Sequence, residues 1–203
     1  MHDHRFLALG DSYTIGEGVP ERERWPVQLV SRLRADGIRI ADPQIIARTG
    51  WTTDELAAAM DAAQFQPPHA LVTLLIGVNN QYRGKPLDEY REQFRSLLQR
   101  TIELAGSDPR RALVISIPDW GVTPFAQDSG RDPRQIAGQI DAFNAAAREE
   151  ASAQRAHFVD VTGLSRDPRC RHLLVADGLH PSGAQYAHWI AVIAPIAAEI
   201  LRR

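Results

Sequence analysis

A serine stands directly behind a short apolar run in Phe6-Leu7-Ala8-Leu9-Gly10-Asp11-Ser12, and far along the chain Asp177-Gly178-Leu179-His180-Pro181 carries a carboxylate and an imidazole three positions apart. A serine hydroxyl is a poor nucleophile until a base takes its proton, and histidine serves best as that base when a carboxylate fixes its tautomer and steadies the imidazolium. The chemistry these residue types suit is acyl transfer through a covalent serine intermediate. Asp177 would accept the imidazole Nδ1–H, leaving Nε2 free for the Ser12 proton, and a three-residue spacing lets the carboxylate fold back onto the ring within one turn.

Such chemistry also needs donors for an oxyanion. The candidates are the Ser12 backbone N–H, the Gly50 backbone N–H and the side-chain amide of Asn79. Gly50 precedes a helix start, and its missing side chain lets a substrate come close. Asn79, in Ile76-Gly77-Val78-Asn79-Asn80, follows an apolar run. Each of these residues also has a plainer use: Ser12 as a helix cap, Asp177-Gly178 as a turn, Gly50 and Asn79 as turn formers. Their joint placement favours the chemical reading.

The elements that must position them can be read from periodicity. Strand-like runs fall at Phe6 to Leu9, Ile45 to Ala47, Ala70 to Ile76, Ala112 to Ile117 and His157 to Val161, with helical patterns between them. Helix starts are marked by Pro26, by Thr52 and Glu55 spaced as a capping box, by Pro86, and by Asp132-Pro133. The longest pattern runs from Leu87 through Tyr90, Phe94, Leu97, Leu98, Thr101 and Ile102 to Gly106. A last helix over about Ser182 to Leu201 is predicted to bury Tyr186, Trp189, Ile190 and Ile193 and to kink at Pro195. Alternation of strand and helix predicts a doubly wound, five-stranded parallel sheet in a three-layer α/β/α sandwich of flavodoxin-like type. Ligands in such sheets sit beyond the carboxyl ends of the strands, where Ser12, Gly50, Asn79, Asp119 with Trp120, and the Asp177/His180 pair are all expected.

With those residues placed, the sequence resembles the SGNH (GDSL-type) hydrolases: Gly10-Asp11-Ser12, Gly50, Gly77-Val78-Asn79 and Asp177-x-x-His180 match that family's four motif blocks in order and spacing. The resemblance spans almost the whole chain. It implies esterase, lipase or thioesterase activity without metal or organic cofactor, with Ser12 as nucleophile, Asp177 and His180 completing the triad, and Ser12, Gly50 and Asn79 as the oxyanion hole. Tyr13 stands where the family name has leucine, and Asn80 where the third block often has aspartate. Candidates for substrate contact are accordingly Tyr13, Trp51, Asn80, Trp120 and Phe125, and the segment from Asp119 to Asp132 is a candidate rim.

Bulk properties narrow the field. At 203 residues the chain suits one domain. Lys+Arg 23 against Asp+Glu 25 leaves a net charge of -2, which lacks the footprint of a general nucleic-acid binder and points to a small-molecule ester as partner. The single cysteine, Cys170, excludes an internal disulfide and a cysteine metal cluster. His2 and His4 flank Asp3, a pattern read as a surface tail. Gly16-Glu17-Gly18 has Glu21 where a dinucleotide loop needs glycine. No signal-peptide core or bilayer-length run is read, so a cytoplasmic location is expected. The leading expectation is a carboxylic ester hydrolase acting on short to medium acyl chains. A thioesterase or lysophospholipase-like activity uses the same machinery, and a non-catalytic flavodoxin-like binding module is the alternative of another class.

Overall fold

Continuous apolar runs become central strands when both sheet faces are covered, and β1 (Phe6–Gly10) is buried at every position. In the computed structural model, which describes residues 3–203, β1 is flanked on one side by β2 (Gln44–Ala47) and on the other by β3 (Leu71–Leu75). Then come β4 (Ala112–Ile115) and β5 (His157–Val159), giving the order β2-β1-β3-β4-β5 with every pairing parallel. The register sets Gly10 opposite Ala47 and Leu75, so three strands end level with one another. The chain leaves β1 for one side of the sheet and then crosses to the other, which opens a crevice at the carboxyl end of β1.

Helices cover both faces. α2 (Trp25–Ala35) and α9 (Gly183–Arg202) pack together on one, while α3 (Thr53–Ala62), α5 (Leu87–Leu104) and α7 (Pro133–Ala153) lie in that order on the other. These helices begin at the predicted positions, and α3 and α7 carry side-chain caps there. Glu55 accepts the Thr52 N–H at 2.9 Å, the Asp132 side chain accepts the Arg134 N–H, and Pro26 and Pro133 occupy first-turn positions. The apolar stripe of α5 buries Tyr90, Phe94, Leu97, Leu98 and Ile102, with Tyr90 stacked on Phe143 of α7 at 4.5 Å. Truncating one such aromatic to alanine typically costs about 3–5 kcal/mol, so this contact holds the whole face in place.

Two strands end two residues short of the sequence reading. β4 ends at Ile115 because Ile117 turns its backbone to Asn144 of α7, whose side chain accepts its N–H at 2.7 Å and donates to its carbonyl at 2.9 Å. β5 stops at Val159, where Asp160 begins a turn by accepting the Thr162 N–H that opens α8 (Thr162–Arg166). α9 spans the predicted last helix, with Pro195 inside it. At 20 residues it is also long and apolar enough to cross a membrane by length and composition, contrary to the reading that no run is. In the fold its Tyr186, Trp189, Ile193 and Ala197 are fully buried. Three short helices, α1 (Ser12–Ile15), α4 (Val78–Tyr82) and α6 (Pro124–Asp128), follow β1, β3 and β4 and were not foreseen. They carry much of the site.

Candidate active site

Ser12 is the first residue of α1, one step beyond the Asp11 cap whose Oδ1 accepts the Tyr13 N–H at 3.0 Å. A first-turn amide has no intrahelical acceptor, and the Ser12 N–H makes no hydrogen bond among the described residues. Asp11 itself is fully buried, and its Oδ2 has no partner among the described residues. Burial pushes its carboxyl up to about 7, against the lowering effect of the Tyr13 amide.

His180 and Asp177 share the turn that leads into α9. Asp177 Oδ2 lies 2.6 Å from His180 Nδ1, while Oδ1 accepts the backbone N–H groups of Leu179 at 2.8 Å and His180 at 3.0 Å. Burial raises the Asp177 carboxyl, but the bonds from the His180 ring and the two amides outweigh it and hold the group below its usual range. An ionised carboxylate can only accept, so Nδ1 carries the proton and Nε2 is the basic nitrogen. The ring rests against Tyr13 with centroids 5.7 Å apart, and the turn is tied down where Val175 N–H donates to the His180 carbonyl. Ser12 Oγ makes no hydrogen bond to His180 in this structure, yet both groups line one cavity. Such contacts often tighten only with substrate in place.

Gly50 and Asn79 reach the cavity from β2 and β3. Gly50 has φ +88°, a left-handed conformation that glycine adopts without strain, and a Cβ there would meet nothing closer than the Arg83 guanidinium at 3.7 Å. The glycine is needed for its backbone direction rather than for room. Its carbonyl accepts from Arg83 at 2.6 Å while its N–H has no partner among the described residues. Asn79 sits in the first turn of α4. Its Nδ2 donates to the Trp51 carbonyl at 2.9 Å, which fixes the amide and leaves its second N–H unspent. The cap of α4, Gly77, has φ +130° and lies so close to Tyr90 that a Cβ would stand 2.5 Å from the ring. That close approach seats α4 on the core.

The cavity has a volume of about 180 Å³ and is lined by Ser12, Tyr13, Thr49, Gly50, Val78, Asn79, Tyr82, Trp120, Phe125, Leu179 and His180. Seven of the residues singled out in the sequence are thus brought together, and Asp177 stands behind His180. Trp51 and Asn80 are not among the lining residues. Trp51 contributes its carbonyl to Asn79 while its ring packs on the core. Asn80 is fully buried and spends its side chain on Thr53, accepting the Thr53 N–H at 3.1 Å and donating to Oγ1 at 2.7 Å. Both corrections follow from α4 and the capped start of α3, which aim neighbouring residues in opposite directions. Four lining residues, Thr49, Val78, Tyr82 and Leu179, were not foreseen. Tyr82 lies three residues after Asn79, one helical turn away, and that spacing is the signal for it.

The segment after β4 is built rather than loose. Asp119, nearly inaccessible, pairs with Arg166 at 2.8 Å and accepts the Gly121 N–H at 2.8 Å, and Trp120 donates to Gln81 at 2.8 Å. Phe125 N–H donates to the Gly178 carbonyl at 3.1 Å, joining this wall to the Asp177/His180 turn. A larger hollow of about 290 Å³ lies near the start of β1, lined by His4, Arg5, Asp108 and Arg110 among others, and contains no serine, threonine or cysteine. His2 lies outside the described residues, and among those described no group of three His, Cys, Asp or Glu could hold a metal ion.

Comparison with known proteins bears on the fold and the family. The model of the GDSL-like Lipase/Acylhydrolase family matches residues 8–188. No curated protein matches by sequence. Among solved structures, TesA superposes with a TM-score of 0.75 at 19% identity, covering 97% of this chain and 99% of that one. The psychrotrophic esterase EstA from Pseudoalteromonas sp., in a form inhibited by monoethylphosphonate, gives 0.74 at 18% identity over 99% and 100%. The lipase/acylhydrolase from Enterococcus faecalis gives 0.73 at 22% identity over 97% and 96%. At these identities the structures speak for the fold, and the match over residues 8–188 speaks for the family: the chain belongs to the GDSL-like lipase/acylhydrolases.

Proposed function

We propose that this protein is a carboxylic ester hydrolase working through an acyl-enzyme on Ser12, with short to medium acyl groups as substrates. The observation that carries the reading is the 2.6 Å contact of Asp177 with His180 Nδ1 beside a cavity that Ser12 and His180 share. In the first half-reaction Ser12 Oγ attacks the ester carbonyl carbon as His180 Nε2 takes its proton, and Asp177 stabilises the imidazolium. The carbonyl oxygen becomes an oxyanion held by the N–H groups of Ser12 and Gly50 and the free Nδ2 hydrogen of Asn79. Collapse of that intermediate breaks the bond to the alcohol, which leaves with the proton from His180. Water then attacks the acyl-serine by the same route, returning the acid and free Ser12.

Chain length follows from the space. A cavity of about 180 Å³ with rings of Tyr82, Trp120 and Phe125 along it suits a modest apolar acyl group. The test is hydrolysis of p-nitrophenyl esters from acetate to palmitate by the wild type and by Ser12→Ala. Turnover that peaks among the shorter esters and disappears in Ser12→Ala supports the reading. Turnover that survives Ser12→Ala removes the nucleophile, and an optimum at palmitate removes the chain-length claim.

A further inference from the structure

Among the described residues Tyr82 is one of two large apolar side chains that stay exposed, at 39%, although it lines the cavity. Burial alone does not hold such a ring. It meets Trp120 edge-on at 5.4 Å and Phe125 at a tilt at 6.3 Å between centroids, and one face carries the guanidinium of Arg131 at 4.4 Å. The same guanidinium lies 5.8 Å from the Trp120 ring, and its Nη1 donates to the Tyr82 carbonyl at 3.0 Å. That carbonyl is the last of α4 and has no helical partner, so a cation there satisfies it. No carboxylate pairs with Arg131 among the described residues. Among the described residues the polar and cation–π contacts of its guanidinium are to Tyr82 and Trp120, while its backbone N–H donates to Ser129 Oγ at 3.3 Å.

Arg131 therefore joins two walls that the chain builds separately. One wall is α4, which carries Asn79 and Tyr82; the other is α6, which carries Phe125 and ends three residues before Arg131. We propose that Arg131 is a specificity-determining latch: by holding the Tyr82 ring against Trp120 and Phe125 it closes the far end of the acyl pocket and sets the longest acyl chain the enzyme accepts. The inference rests on the ester-hydrolase reading, and it adds a residue outside the reacting groups. A cation over an exposed ring is a weak contact, so the latch opens readily and the limit it sets is graded rather than absolute.

The experiment compares kcat and KM for p-nitrophenyl esters of acetate, butyrate, octanoate and dodecanoate in the wild type, Arg131→Met, Arg131→Lys, Tyr82→Ala and Ser12→Ala. Methionine keeps much of the stem without charge or fork, and lysine keeps the charge without the planar stacking surface. In Arg131→Met the octanoate to acetate ratio of kcat/KM should rise by about two- to fivefold, carried by a lower KM for octanoate. Arg131→Lys should fall between, and Tyr82→Ala should move the ratio further in the same direction. An unchanged or lower ratio in Arg131→Met, with Ser12-dependent turnover intact, overturns the latch and leaves the hydrolase reading standing. A uniform fall in kcat for every ester also overturns it, because that is what mere loosening of α4 and Asn79 produces. Should Arg131→Met fail to fold by thermal melting, the ratios in Arg131→Lys and Tyr82→Ala decide in the same way. A wild type that hydrolyses none of the esters, or whose turnover survives Ser12→Ala, sinks both claims together.

Discussion

Replacing Asp177 by asparagine should damage the enzyme more than replacing it by alanine, and the hydrogen bonds say why. Asp177 Oδ1 already accepts two backbone N–H groups, at 2.8 Å from Leu179 and 3.0 Å from His180, and Oδ2 accepts from the His180 ring at 2.6 Å. Asparagine has one acceptor oxygen. Turned to the ring, it would point its amide hydrogens at two backbone donors, leaving two bonds unmade at about 1–3 kcal/mol each. Turned to the backbone, it keeps those two bonds and presents N–H to His180 Nδ1, which must then accept. The second arrangement makes three bonds where the first makes one, so it wins. Nε2 then carries the proton and cannot take one from Ser12, a wrong-tautomer defect worth about 10,000-fold in kcat in a comparable triad. Alanine leaves the ring free to choose, so a fraction of His180 remains competent and the loss should be smaller. The assay is kcat on p-nitrophenyl acetate for both variants, with nitrogen NMR of the His180 ring to read the tautomer directly. An asparagine variant within tenfold of wild type, or one whose His180 still carries its proton on Nδ1, would refute the reasoning.

Asn79→Ala should lower kcat about 100- to 1,000-fold with a smaller change in KM, because the amide already fixed on Trp51 is arranged for the transition state rather than the ground state; a change confined to KM would make Asn79 a ground-state binding group. Asp11 makes a prediction about stability. Burial raises its folded-state value from 3.8 to about 7, so within that window the native state holds a proton that the unfolded chain has released. Stability from this group therefore falls as pH rises through the window and levels off above it. Asp11→Asn keeps an acceptor for the Tyr13 amide and removes the titration, so denaturant unfolding at several pH values should show a smaller decline than in the wild type. Equal declines would contradict the buried, partnerless Oδ2.

The five strands were legible because each is a short apolar run, and a strand covered on both faces needs little else. What the runs do not encode is where each leaves the ladder. Asn144, far along the chain, decides the end of β4 by bonding both backbone groups of Ile117. The candidate site was legible where a residue type stands alone in its motif, as at Ser12 and His180, which line one cavity, and Asp177, which meets His180. It was illegible where neighbours look alike. Asn79 and Asn80 are adjacent and chemically identical, yet a short helix turns one to the cavity and the other to Thr53. Trp51 offers its carbonyl rather than its ring. Arg131 had no local signal at all, since its meaning depends on a ring 49 positions away.

The central claim is that Ser12 is the nucleophile, and it is tested most directly by intact-protein and peptide mass spectrometry after reaction with an alkyl fluorophosphonate. The account predicts one phosphonyl group per chain, on the peptide carrying Ser12, with loss of ester hydrolysis in step with labelling and no label in Ser12→Ala. A label on another residue, or undiminished hydrolysis by fully labelled protein, would contradict it.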